Sequence, residues 1–227
     1  EPVALVAATT LQQARDAAEA VLVDYEELPA VADIAAATAS GAPALCDEAP
    51  DNVSAAMRHG DAQATAQAFA AAAHVVTLEL TNQRLVALTL EPRSVLARID
   101  PADGRLVLRA STQMPSGLRN TVADCLGLAQ DRARVTVGDV GGGFGMKTGA
   151  YPEDVAVAFA AHRLQRPVKW VADRSEEFLS SAHGRDIESR AELALAADGR
   201  ILALRLASRA NVGAYATPTG VAIQLLI

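Results

Sequence analysis

Aromatic side chains are scarce in this chain of 227 residues, at 4%, although 51% of the residues are hydrophobic. Any core is therefore built from small aliphatic side chains, with alanine the main supplier. Cysteine is nearly missing: Cys46 and Cys125 lie too far apart for a local metal knuckle. The four histidines, His59, His74, His162 and His183, show none of the short spacings of a metal site. Protein-ligated zinc, iron–sulfur clusters and haem are unsupported, and this thiol usage suits a reducing, cytoplasmic setting. Basic residues do not dominate either. A net charge of −7 argues against nucleic acid as the main partner. No apolar run approaches the ~18 residues of a membrane span, so no membrane partner is expected.

What the chain does have is glycine concentrated in one place. The stretch Gly138-Asp-Val-Gly-Gly-Gly-Phe-Gly-Met-Lys147 holds Gly141, Gly142, Gly143 and Gly145 within five positions. It follows a β-like run, Arg134–Val137, and precedes a helix-like run from about Pro152 to Leu164. Without Cβ atoms the backbone can approach a ligand closely, and φ > 0 is open that other residues reach only at ~1–2 kcal/mol each. At a strand-to-helix junction, such a turn suits peptide N–H contact with an anionic or planar cofactor. It also suits a plain flexible turn. Two nucleotide motifs fail here. A P-loop needs Gly directly before its Lys, where Met146 stands, and the dinucleotide fingerprint needs Gly where Met146 again stands.

The phrase Gly141-Gly-Gly-Phe-Gly-Met-Lys147, followed by Tyr151-Pro-Glu153 and Arg166-Pro-Val-Lys-Trp-Val-Ala-Asp-Arg174, resembles the molybdopterin-binding large subunit of the xanthine dehydrogenase / aldehyde oxidase family. The branch it is most similar to includes the aerobic carbon monoxide dehydrogenase large subunit. Asn82-Gln-Arg-Leu85, Leu90-Glu-Pro-Arg93, Ser111-Thr-Gln113, Gly184-Arg-Asp186 and Asn211-Val-Gly-Ala-Tyr215 agree in the same order. The resemblance covers essentially the whole chain, and it implies an internal fragment of a longer subunit.

That resemblance implies a molybdenum ion held by a pterin dithiolene, in a cytosine dinucleotide form, rather than by protein side chains. It implies hydroxylation of an electron-poor carbon with water as oxygen source, or oxidation of carbon monoxide at a copper-linked variant site. FAD and [2Fe-2S] are expected on partner subunits, in a dimer of heterotrimers. Gly142, Gly143, Phe144 and Gly145 match the loop that lies against the metal's ligands, and Gln113 matches a glutamine whose amide contacts an oxo ligand. Gln113 and Phe144 are thus the candidates nearest the chemistry; taken alone, Gln113 reads as a solvated strand-end residue. Arg84, Glu91 and Arg93 read as structural pairing groups, and Arg185 and Asp186 suit either purpose. The family's general base, a glutamate, is expected outside these residues, so the 227 residues alone should show no turnover. Purine-oxidising members carry Glu after the loop lysine; Thr148 stands there, which implies that xanthine is not the substrate. A second reading, a non-catalytic α/β module that binds a nucleotide or another subunit, remains open.

The expected fold is α+β, with mixed sheets and packed helices. Residues 1–30 read as the C-terminal part of a small α/β (hammerhead-like) domain: strand Val3–Ala7, a helix capped by Thr10, and strand Val21–Tyr25. Residues 31–60, rich in Ala, Pro, Asp and Ser, read as a connector. Residues 61–227 read as the first part of the cofactor-binding domain, truncated. Within it the expectations are a helix over Ala62–Ala72 and a strand opened by His74. Two hairpins follow, turning at Asp103-Gly104 and Asp198-Gly199. A helix begins at Pro115 with Leu118, Val122, Cys125 and Leu126 on its apolar stripe. A second helix presents Val155, Phe159 and His162, and the apolar end Val221–Ile227 is expected to pair with a continuation.

Overall fold

The computed structural model describes residues 2–226. Its elements run α1 (Leu11–Glu19), α2 (Ile34–Ala37), α3 (Ala62–Ala70), β1 (His74–Asn82), β2 (Leu85–Val86), β3 (Ser94–Ile99), β4 (Leu106–Ala110), α4 (Pro115–Leu126), β5 (Ala133–Thr136), α5 (Pro152–Leu164), β6 (Val168–Val171), α6 (Arg174–Ser180), β7 (His183–Gly184), β8 (Ile187–Leu195), β9 (Ile201–Ala210) and α7 (Pro218–Leu226). They fall into two units, one of Glu1–Glu26 with Val86–His183 and one of Glu27–Leu85 with Gly184–Ile227. The expected α+β class with mixed sheets is what forms.

In the first unit the sheet order is β5-β4-β3-β6, with β4 and β5 parallel and the other pairs antiparallel. Alternate residues of the central strands, Val95 and Ala97 on β3 with Leu106, Leu108 and Ala110 on β4, face Leu118 and Val122 of α4 and Val157, Ala158 and Ala161 of α5. This period-2 pattern against a helical stripe makes the core. Burying a leucine such as Leu108 completely is worth ~2–3 kcal/mol. The topology also gathers three chain segments at one sheet edge. Because β4 and β5 run parallel, the segments leaving them, Ser111–Gln113 and the stretch from Gly138, exit side by side. Antiparallel β3 starts at that same edge, which brings Glu91-Pro-Arg93 there. A hydrogen bond from Ser111 N–H to Ser94 carbonyl oxygen, 3.0 Å, marks the junction.

The second unit holds a three-stranded antiparallel sheet in the order β1-β8-β9, with α3 against β9 and a register shift at Ala194/Leu195. Arg205 lies over the Phe69 ring of α3 at 4.1 Å. Arg84 and Asn211 both reach the carboxylate of Asp186, at 3.3 and 2.8 Å. Asp186 is thus held structurally, and with Arg185 it adopts positive φ (67° and 63°) just before β8.

Several local expectations hold. Thr10 caps α1 by accepting from Gln13 N–H. The structure adds a cap at Asp173, which accepts from Glu176 N–H at the start of α6. Both hairpins form, with Gly104 and Gly199 at positive φ (68° and 84°). Others fail for physical reasons. Val3–Ala7 and Val21–Tyr25 are not strands; neither finds a ladder partner among the described residues, and an unpaired strand has no hydrogen bonds to hold it. Cys125 is exposed rather than buried. The buried face of α4 includes Ala123, which turns the helix toward its small residue and Cys125 outward. On α5, Phe159 is exposed, and the buried positions are Val157, Ala158, Ala160 and Ala161. Three alanines allow close approach to the sheet, and the bulky ring cannot fit there. The C-terminal apolar run lies in helix α7, and Ile227 and Glu1 lie outside the described residues.

Candidate functional site

The stretch after β5 folds back on itself between Gly141 and Lys147. Gly142 (φ 100°), Phe144 (φ 49°) and Gly145 (φ 86°) take the left-handed conformation. Met146 N–H donates to Gly143 carbonyl oxygen at 2.9 Å, closing a turn. Thr148 hydroxyl donates to Gly145 carbonyl oxygen at 2.8 Å. Two of the glycines are required by protein neighbours rather than by open space. A Cβ on Gly141 would stand 2.5 Å from Glu91 Cβ, and one on Gly143 would stand 2.5 Å from Gln113 Cδ and Oε1. The lack of side chains lets the loop pack onto Glu91 and Gln113, a reason that the glycine pattern by itself does not reveal.

Gln113 is built into this loop. Its backbone N–H donates to Lys147 carbonyl oxygen at 2.8 Å, and its Oε1 accepts from Gly145 N–H at 3.1 Å and Lys147 N–H at 3.2 Å. With Oε1 so engaged, the amide orientation follows from the network: the Nε2 donors point away from the loop's N–H groups. Nε2 has no partner among the described residues, nor do the N–H groups of Gly142, Gly143 and Phe144. The Phe144 ring stands out from the loop, 77% exposed. The structure therefore brings together all the candidates Gln113, Gly142, Gly143, Phe144 and Gly145.

Glu91 and Lys147 hold the loop from behind. Lys147 is buried, with its side chain 1% exposed, and its Nζ donates to the Glu91 carbonyl oxygen at 2.7 Å and to Glu91 Oε2 at 3.2 Å. The same Oε2 accepts from Gly141 N–H at 2.7 Å and Ser111 hydroxyl at 2.8 Å. Burial by itself would raise the Glu91 carboxyl, but the donors from Gly141, Ser111 and Lys147 outweigh it and hold it below the usual carboxylate value.

Next to Glu91, Arg93 is the hub of a buried network. It donates to Glu177 Oε1 from both its backbone N–H (3.1 Å) and Nε (3.0 Å), to Glu153, and to Ser180 hydroxyl, and its guanidinium lies 3.8 Å over the Tyr151 ring. Tyr151 hydroxyl donates to Met146 carbonyl oxygen at 2.6 Å and accepts from Ala182 N–H, tying the network to the loop. Burial pushes this hydroxyl above its usual pKa, so it stays a neutral donor. Sequence reasoning assigned Glu91 and Arg93 to structural pairing, which the geometry bears out. It missed Lys147 and Tyr151. A lone lysine in a glycine loop without a phosphate motif was the available signal.

A cleft of about 370 Å³ opens beside Glu91, lined by Ser111, Gly138, Asp139, Lys169 and Trp170 among others. Gln113 and residues 142–145 do not line it. Among the described residues no group of three or more His, Cys, Asp or Glu is placed to hold a metal. The site offers neutral N–H donors on an open, curved backbone and no ligand set of its own. That donor set fits a metal group that arrives with its own organic ligands and presents oxygen acceptors.

Residues 45–226 match the family model described as the molybdopterin cofactor-binding domain. The chain belongs to that family. Relatives of the chain include a carbon monoxide dehydrogenase large chain from Hydrogenophaga pseudoflava, 37% identical over 95% of this chain and 28% of its own length. Another is a nicotine 6-hydroxylase large subunit from Paenarthrobacter nicotinovorans, 36% identical over 96% of this chain and 26% of its own. Among solved structures, carbon monoxide dehydrogenase from Oligotropha carboxidovorans superposes with a TM-score of 0.78 at 35% identity, covering 87% of this chain and 26% of that one. Aldehyde oxidoreductase from Desulfovibrio gigas gives 0.79 at 27% identity, covering 89% and 22%. This molybdopterin-binding chain spans about a quarter of the length of the relatives it matches.

Proposed function

We propose that Gln113 and residues 142–145 hold a molybdenum–molybdopterin cofactor in its cytosine dinucleotide form. The full-length protein then oxidises an aldehyde, an N-heterocycle or carbon monoxide, with water as the oxygen source. The observation that carries this reading is the single hydrogen-bonded unit of Gln113 with the glycine loop, which leaves three backbone N–H groups and the Gln113 Nε2 amide without a partner among the described residues. When bound, the cofactor supplies a metal able to transfer oxygen and take up two electrons. The chain's own part is positional. The Gln113 Nε2 donors and the N–H groups of Gly142, Gly143 and Phe144 orient the group's oxygen atoms, and neutral donors favour charge that builds up there during reaction.

FAD-binding and iron–sulfur partner subunits, in a cytoplasmic dimer of heterotrimers, supply the electron path in this reading. Relatives named as large chains and complex subunits support it. Residues 1–30 are assigned to a preceding small domain, 31–60 to a connector and 61–227 to the first part of the cofactor-binding domain. Thr148 bears on the substrate: its hydroxyl is spent on Gly145 carbonyl oxygen, and a neutral group cannot replace a carboxylate there. In this reading xanthine is not the physiological substrate. Metal analysis and pterin fluorescence of the purified native complex test the reading. One molybdenum and one pterin per copy are expected; a complex free of both sinks it in favour of a non-catalytic module. Efficient xanthine turnover refutes the substrate inference alone.

A further inference from the structure

We propose that Glu91 and Lys147 form a two-ended latch that sets the curvature of residues 141–147, and that they are positioning residues for whatever the loop's free N–H groups bind. That last clause rests on the cofactor reading; the latch itself does not. Glu91 grips both ends of the loop at once. At the leading end it exchanges two hydrogen bonds with Gly141: Glu91 N–H donates to Gly141 carbonyl oxygen at 3.1 Å, and Gly141 N–H donates to Glu91 Oε2 at 2.7 Å. At the trailing end Lys147 Nζ bonds the carbonyl oxygen and Oε2 of the same residue. Thr89, wholly buried, adds its hydroxyl to that carbonyl at 2.7 Å, and Ser111 adds its own to Oε2.

Chemistry explains why a charged pair stands here. A buried ammonium is costly unless it is both paired and hydrogen-bonded, so Lys147 cannot leave Glu91 without reaching water or losing its partner. The loop therefore has one low-energy closure. Gly141 is needed for this closure, because a Cβ there would stand 2.5 Å from Glu91 Cβ. Between the two grips lie Gly142, Gly143 and Phe144, whose N–H groups are free, so the separation of the ends fixes where those donors point.

The test uses the full-length protein, prepared with and without cofactor, and the variants Glu91→Gln, Lys147→Met and Glu91→Gln/Lys147→Met. Hydrogen–deuterium exchange of the peptide covering 140–148 reads the latch directly, with the β3–β4 hairpin as an internal control for global unfolding. Lys147→Met should raise exchange in 140–148 at least tenfold in the cofactor-free protein, leave the hairpin protected, and lower retained molybdenum by a similar factor. The double variant should exchange as fast as Lys147→Met, because a thioether at 147 offers no donor to residue 91 and the trailing grip is missing in both. Unchanged exchange in Lys147→Met overturns the latch, as does a double variant that regains wild-type protection. Altered exchange with no molybdenum in any preparation, wild type included, leaves the latch standing and rejects the cofactor reading.

Discussion

Gly143 and Gln113 are packed so closely that a Cβ added to the glycine would meet Cδ and Oε1 of the amide at 2.5 Å. The glutamine and the glycine loop are thus one structural unit, and a side chain at 143 must evict the amide that accepts from Gly145 and Lys147. The loop geometry, the free donors and the position of Gln113 all depend on this contact.

Gly143→Val is expected to displace Gln113 and abolish cofactor retention while leaving the β3–β4 core folded. Overpacking of this kind costs ~1–3 kcal/mol, which a sheet core elsewhere in the chain survives. Molybdenum content and a thermal melt of the full-length variant check this; normal metal content with normal turnover overturns the site assignment.

Gln113→Glu separates the two ends of the amide. A carboxylate keeps the acceptor for Gly145 and Lys147 N–H but lacks the Nε2 donors, so the loop should hold while kcat falls about 10–100-fold with KM little changed. That split marks an interaction made chiefly in the transition state. Gln113→Ala should lower kcat too, with a greater loss of loop order. Steady-state kinetics on the native complex decide, and an unchanged kcat in both variants returns Gln113 to a solvated role.

Asp154 gives a pH prediction. Burial is the main cause that raises its carboxyl to about 6, opposed by the Tyr151 N–H and the Arg93 charge, with Glu153 pushing the same way as burial. Its folded pKa lies above the unfolded value of 3.8, so its contribution to stability is full below about pH 4 and is lost as pH rises through about 6. Asp154→Asn removes the titration and should gain about 3 kcal/mol on wild type between pH 4 and pH 8. Melting curves across that range check the sign; a constant difference refutes it.

Arg93→Lys should destabilise by about 3–5 kcal/mol, because it leaves Glu177 and Glu153 without the guanidinium fork. Glu177 is itself buried, at 2% exposed, and its Oε2 has no partner among the described residues. Denaturant unfolding measures the loss, and a change under about 1 kcal/mol shows that the network is solvated after all.

The sequence by itself determined the local elements whose signals are local. Thr10 caps a helix, Asp103-Gly104 and Asp198-Gly199 turn hairpins, and four clustered glycines mark a loop with unusual backbone demands. The ordered phrases from Asn82 to Tyr215 were enough to point to the family. Tertiary structure decided what those signals meant. The two N-terminal apolar runs stayed unpaired because a strand needs a partner, and pairing is not encoded in the run itself. Cys125 and Phe159 turned outward because alanines set the closest approach of α4 and α5, which a hydrophobic stripe does not reveal. The parallel pairing of β4 with β5 brought Glu91, Gln113 and Lys147 together across up to 56 residues of chain. Only there could a buried lysine find its carboxylate, since burial and pairing are properties of the folded neighbourhood.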